Sequence, residues 1–324
     1  MNSVHYLETS GLNVLADSLA DFDFNTLAQH VMKFDWCISS VVLWEVLLNS
    51  SDSRRDFLIY WAQFNCSDYL LKSPAELLVS YLELGMPDSD RKEFWHDRES
   101  NLDIARVWKR IHKKLDRTIP INFEELKERS EPLRQLSKLY PATLDLITNQ
   151  AEDGYDEEYF HKRIMQLNKK LVNSVTASRE NEKLVKLSII LGFFVICIGV
   201  DLDNSPIREF WRPIGIDDPY ERLEYLINCS PKIFVKGPLV EMCLMLESQA
   251  QTPSTTNRGS IFDSLHTAYC YYADNVISAD GHFHSSPDTR GSKVFASVIS
   301  ASGYLEIMNA GYEKAKELFG TKRS

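Results

Sequence analysis

Apolar positions change their rhythm twice along this chain. Near the N-terminus, Val4 to Leu7 is a short continuous apolar run and reads as a buried strand. Helical spacing follows from about Leu12 to Leu19 and from Asn25 to Lys33, and Asp35 to Ser39 reads as a second strand. Ser40 is placed to cap a helix running through Val41, Val42, Leu43, Trp44, Glu45, Val46 and Leu47. From about Ser51 to Ser230 apolar residues recur at helical spacing and no strand is evident; Arg106 to Leu115 and His161 to Leu171 show the pattern most clearly. Pro87, Pro120, Pro141, Pro206, Pro213 and Pro219 divide this stretch into several helices, because proline interrupts the hydrogen-bond ladder. The first rhythm then resumes, with a helix from about Leu239 to Ser248, a polar stretch through Gly259, a helix from Ile261 to Tyr272 and a strand from Val276 to Ser278. A helix over Val294 to Ser300, a strand over Tyr304 to Ile307 and a final helix complete the reading.

Strand and helix alternating at both ends imply a parallel sheet with helices on its faces. The expected fold class is therefore α/β. Residues 1–50 and 231–324 are expected to form one domain, interrupted by a mostly α-helical insertion at 51–230.

Composition narrows the function classes. With 324 residues, 44% hydrophobic and 25% charged, the chain can bury an ordinary globular core. A formal net charge of -10 excludes coating of DNA or of an anionic membrane by bulk attraction. Nucleic-acid contact must then come from a local basic surface. Arg106, Lys109, Arg110, Lys113 and Lys114 form such a face beside Val107, Ile111 and Leu115; an exposed face paired with acidic clusters such as Glu152 and Asp153 is the alternative. The six cysteines include no CxxC pair and mostly sit in apolar segments, so zinc and disulfide readings are both poor. Leu187 to Val200, bracketed by Lys186 and Asp201, falls short of the roughly 20 residues a spanning helix needs. With no signal-peptide pattern either, a cytoplasmic protein without membrane contact is expected.

Four acidic residues carry the candidate chemistry. Glu8 closes the first apolar run, Glu45 lies inside an apolar helix, Asp263 stands in the Phe262-Asp263-Ser264-Leu265-His266 segment, and Asp280 follows the strand ending at Ser278. A carboxylate just past the C-terminal end of a parallel strand faces the crevice where open α/β sheets bind ligands. Four such groups could hold Mg²⁺ or Mn²⁺, which take oxygen ligands, and serve phosphodiester hydrolysis. Each has a plainer reading. Glu8 could pair with a basic residue at the sheet edge, Glu45 could face solvent, and Asp280 before Gly281 suits an ordinary turn. Asp263 could cap its own helix from Ser260-Ile261-Phe262-Asp263. His266 reads as a satisfied core histidine or a residue behind the ligands, and His282 and His284 as loop residues near the site.

At these residues the chain resembles the PIN-domain nucleases. Tyr6-Leu7-Glu8-Thr9-Ser10 stands where that family has a strand ending in Asp-Thr-Asn, and Glu45 matches its second acidic residue. Asp263-Ser264-Leu265-His266-Thr267-Ala268 is similar to its third motif, and Ala273 to Asp280 to its fourth. The resemblance covers roughly residues 1–50 and 235–324. It implies a PIN-like three-layer fold and a metal-dependent endonuclease acting on single-stranded or structured nucleic acid, RNA before DNA. It also implies that Glu8, Glu45, Asp263 and Asp280 bind Mg²⁺ or Mn²⁺, with Ser10 and His266 supporting them. Glu8 replaces the family's Asp and Ser10 its Asn. A catalytically weakened PIN-like module that binds RNA or a protein partner through its helical insertion is the alternative these departures suggest. The helical insertion is expected to select substrate, or to dock a regulatory protein or a second copy.

Overall fold

The computed structural model describes residues 3–20, 28–49, 51–66, 70–71, 73–83, 109, 162–163, 165–167, 169–171, 182–198, 205–250, 260–271, 273–284 and 298–320. They fall into two compact units. The first takes its described elements from residues 1–72 and 272–324, the second from 73–90 and 124–271.

In the first unit, strand β1 (Ser3–Leu7) leads into helix α1 (Thr9–Ser18), and β2 (Phe34–Ser39) leads directly into α2 (Ser40–Leu47). Helix α3 (Asp52–Asn65) and the two-residue β3 (Leu70–Leu71) follow. The end of the chain supplies β4 (Asn275–Ser278), β5 (Val298–Ser300) and helix α4 (Ala301–Gly320). The strands form one parallel sheet in the order β3-β2-β1-β4-β5, an α/β architecture as the alternation implies. Strand β1 lies at its centre, with Tyr6 paired to Cys37 on one side and to Val276 on the other. Its last three residues, His5 to Leu7, are buried without alternation, as expected of a strand covered on both faces.

Three local expectations change. Ser39, not Ser40, caps α2. Its backbone is still extended, and its hydroxyl accepts from the Val42 N–H at 3.5 Å, so the last strand residue doubles as the half-in helix residue. A strand does occur between residues 51 and 230: Leu70 and Leu71 pair with Ile38 and Ser39, a segment too short to show any period. The third change lies near the C-terminus. Val298 to Ser300 is strand, where a helix over Val294 to Ser300 is expected; residues 294–297 lie outside the described ones. Tyr304 to Ile307 is the second turn of α4. Val298 and Ile299 are β-branched and pair with Val276 and Ile277, while Tyr304 and Met308 are one turn apart and both buried. Four residues do not separate a period of 2 from one of 3.6.

The sheet's interior carries a neutral polar cluster. The Tyr304 hydroxyl accepts from Trp36 Nε1–H at 2.9 Å and shares a 2.5 Å hydrogen bond with His5 Nδ1, while His5 Nε2 meets the Asn275 amide at 3.1 Å. His5 also stacks on Phe34 with ring centroids 4.7 Å apart. Burial brings the His5 pKa down to about 4, against the pull of Asp274 and Asp35. It likewise raises the Tyr304 phenol and the Cys37 and Cys66 thiols, leaving all of them neutral.

The second unit is helical. Its described helices are Pro74–Glu83, Glu182–Gly192, Ser205–Trp211, Pro219–Cys229, Pro238–Ala250 and Ser260–Thr267. Leu77, Tyr81, Ile189, Phe234, Leu239 and Met242 lie in its core. The apolar stretch from Leu187 to Cys197 is mostly buried, Ile198 is exposed, and Phe193–Ile198 winds as a π-helix. Trp211 Nε1–H donates to the Ile196 carbonyl and Arg222 to that of Cys197, both at 2.8 Å, which satisfies groups an α-helical ladder would have used. Among the described residues no helix is long and apolar enough to cross a membrane.

Candidate functional site

The pairing of β1 with β4 extends one residue beyond the strand. The Glu8 N–H donates to the Ile277 carbonyl at 3.1 Å, which fixes Glu8 at the C-terminal end of the sheet. There it is also the N-cap of α1, with extended backbone and a side chain folded back on the first helical turn. Its Oε1 accepts from the Ser10 backbone N–H at 2.9 Å. Its Oε2 accepts from the Ser278 hydroxyl at 2.9 Å and from the Ser10 hydroxyl. With 4% exposure, the carboxylate is out of water, and all three donors are neutral. A basic partner at the sheet edge is therefore not what holds it.

Gly11 makes this arrangement possible. A Cβ at that position would lie 2.1 Å from the Ile277 carbonyl oxygen, so a residue with any side chain could not stand there without moving α1 off β4. The close approach places Ser10 Oγ where it accepts from the Ala279 N–H at 2.8 Å and lies 3.2 Å from Ser278 Oγ. Ser278 Oγ accepts in turn from the Asp280 N–H at 3.0 Å, so the chain at Asp280 is tied to the same hydroxyl that reaches Glu8. Asp280 is half-buried. His284 closes the loop behind it, with Nε2 3.1 Å from the Ser278 carbonyl.

Glu45 comes to this end of the sheet from α2. Half-buried, it accepts a hydrogen bond from the Thr9 hydroxyl, and one of its carboxylate oxygens lies within 4.8 Å of one from Glu8. Two ionised carboxylates at that spacing would repel each other, and the hydroxyl donors on both soften that repulsion. Both of these carboxylates offer oxygen donors, and their spacing leaves room for a cation with ligands at about 2.0 to 2.6 Å, the range of Mg²⁺ and Ca²⁺. The residues present fit a hard divalent ion.

The structure thus brings Glu8, Ser10, Glu45 and Asp280 to one end of the first unit. Asp263 and His266 belong to the second unit, on the helix Ser260–Thr267: Asp263 is half-buried in its first turn and His266 fully buried. The Ser260 side chain, and with it the expected cap, lies outside the described residues. Of the basic face, Lys109 is helical and exposed, and Arg106, Arg110, Lys113 and Lys114 lie outside the described residues. Sequence reasoning passed over Thr9, Gly11 and Ser278. Ser278 had a signal, since it stands two positions before Asp280 at the end of a strand, where alternate residues share a face. The other two look like any hydroxyl and glycine at the start of a helix. In comparison with known proteins, the chain matches no family model, no curated protein and no solved structure.

Proposed function

We propose that the chain is a metal-dependent endonuclease that hydrolyses phosphodiester bonds of single-stranded or structured nucleic acid, RNA in preference to DNA. The observation that carries this reading is the meeting of Glu8 and Glu45 at the C-terminal end of a parallel sheet, with the Asp280 main chain held by the Ser278 hydroxyl that reaches Glu8. Buried like charges are costly unless something offsets them, and a divalent cation is the economical partner for two carboxylates and a phosphate. The resemblance to PIN-domain nucleases adds Asp263, the PIN-like fold and the choice of Mg²⁺ or Mn²⁺. A divalent ion held at the carboxylates of the first unit would supply Lewis acidity for attack of water on phosphorus and would offset the charge that develops there.

The protein's own contribution is orientation. Thr9 sets the Glu45 carboxylate, Ser10 and Ser278 set that of Glu8, and Ser278 pins the main chain at Asp280. With a net charge of -10, the chain must approach a polyanion through a local cationic face, a role that suits Lys109 and its neighbours. One observation favours a second reading, a catalytically weakened module that binds RNA or a protein partner. Glu8, longer than the family's Asp, is already bonded to three internal donors.

Cleavage of mixed RNA and single-stranded DNA with Mn²⁺, and again with EDTA, decides between the readings. The native protein should cut only with the ion. Asp263→Asn and Asp280→Asn should each lose about two orders of magnitude. Cleavage that survives both substitutions refutes the assigned site, and RNA binding without cleavage or Mn²⁺ binding establishes the second reading.

A further inference from the structure

The Glu8 carboxylate is used differently from a waiting metal ligand. An ionised carboxylate offers about four acceptor positions. Three are engaged by the Ser10 N–H, the Ser10 hydroxyl and the Ser278 hydroxyl. Those donors come from both sides of a junction, the start of α1 and the end of β4. Glutamate is not among the residues favoured at an N-cap, where Ser, Thr, Asp and Asn have the shorter reach that suits the N2 and N3 amides. Here the extra methylene lets the side chain bond the α1 amide with one oxygen while the other spans to Ser278.

We propose that Glu8 is a clasp joining α1 to β4, and that Ser278 is the positioning residue that fixes its carboxylate. On this account a cation is held directly by Glu45, whose carboxylate lies within 4.8 Å of that of Glu8. Glu8 supplies fixed negative charge close by. The metal part of this inference rests on the nuclease reading, whereas the clasp does not.

The sign of a stability change distinguishes the two roles of Glu8. An idle ligand facing Glu45 in metal-free protein is a source of repulsion, so Glu8→Gln would raise the melting midpoint in EDTA. A clasp predicts the reverse. Glu8→Gln and Ser278→Ala should each lower the metal-free midpoint by about 2–6 °C. The double variant should fall little below the worse single one, because both substitutions break the same bond. Ser278→Thr, which keeps the hydroxyl, should melt close to the native protein.

Calorimetric titration with Mn²⁺ alone tests positioning. Ser278→Ala should weaken binding about tenfold or more, and Ser278→Thr should restore it. A raised midpoint in Glu8→Gln, or independent additive losses in the double variant, overturns the clasp. Unchanged Mn²⁺ affinity in Ser278→Ala overturns the positioning role. Absence of Mn²⁺ binding by the native protein, with the melting pattern as expected, removes the nuclease reading and the positioning role while upholding the clasp.

Discussion

His5 and Glu8 are both buried polar side chains at the centre of the same sheet, and their surroundings are built on opposite principles. The hydrogen-bonding partners of His5 named above are neutral: the Tyr304 hydroxyl, itself bonded by the Trp36 N–H, and the Asn275 amide complete a network, and desolvation keeps the imidazole uncharged against the pull of Asp274 and Asp35. Around Glu8, a second carboxylate stands within 4.8 Å, and the donors are neutral hydroxyls and a backbone amide. A neutral, satisfied network is complete by itself and stabilises the fold. Two carboxylates set this close form a different kind of site, one whose geometry suits a partner that brings positive charge. The contrast sets a self-contained polar network and a pair of carboxylates at the two ends of four consecutive residues, His5 to Glu8.

The strongest blow to the anionic end should come from Gly11→Ala. Alanine favours a helix over glycine by about 1 kcal/mol. Overpacking against the Ile277 backbone, with a Cβ 2.1 Å from the carbonyl oxygen, should outweigh that gain and leave a net loss of about 3 kcal/mol. Urea unfolding measures it. A variant as stable as the native protein would mean that α1 does not need its close seat on β4, and the hydroxyl arrangement around Glu8 would lose its basis.

The neutral end should respond to pH. An unfolded chain binds a proton at the His5 imidazole near pH 6.5, whereas the folded one resists protonation down to about pH 4. The unfolded state therefore binds more protons through that window. Stability from His5 is fully present above pH 6.5, is lost as pH falls toward 4, and changes no further below it. The whole loss is at most about 3 kcal/mol. Comparing urea unfolding at pH 7 and pH 4.5 for native protein and His5→Asn isolates this share from the carboxylates, which titrate in both. Equal pH dependence in the two would contradict the neutral network.

The acidic residues of the site were legible because a charge inside or closing an apolar run is costly and asks for a reason. Glu8 and Glu45 stood out in this way, and the strand-helix alternation gave the parallel sheet that brings them together. The groups that orient them were not legible. Thr9, Ser10 and Ser278 act through directional hydrogen bonds, and only Ser10 drew notice, by its place in a motif. Gly11 matters through an absent side chain, whose value appears only when β4 arrives from far along the chain. The same limit explains the secondary structure that was misread. Two-residue β3 and three-residue β5 exist because neighbouring strands pair with them, and Tyr304 joins a helix because His5 and Trp36 wait beneath it. Local pattern finds a buried charge; it does not find the partners that long-range topology delivers.

The central claim is that the Glu8–Glu45 end of the sheet is built to receive a divalent cation. Thermal unfolding with and without saturating Mn²⁺, for native protein and Glu45→Gln, tests it most directly. A ligand that binds only the folded state at 100 times its dissociation constant stabilises by about 2.7 kcal/mol, so the native midpoint should rise by several degrees while that of Glu45→Gln stays nearly fixed. A native protein indifferent to Mn²⁺, or a variant that gains as much as the native protein, would contradict the account.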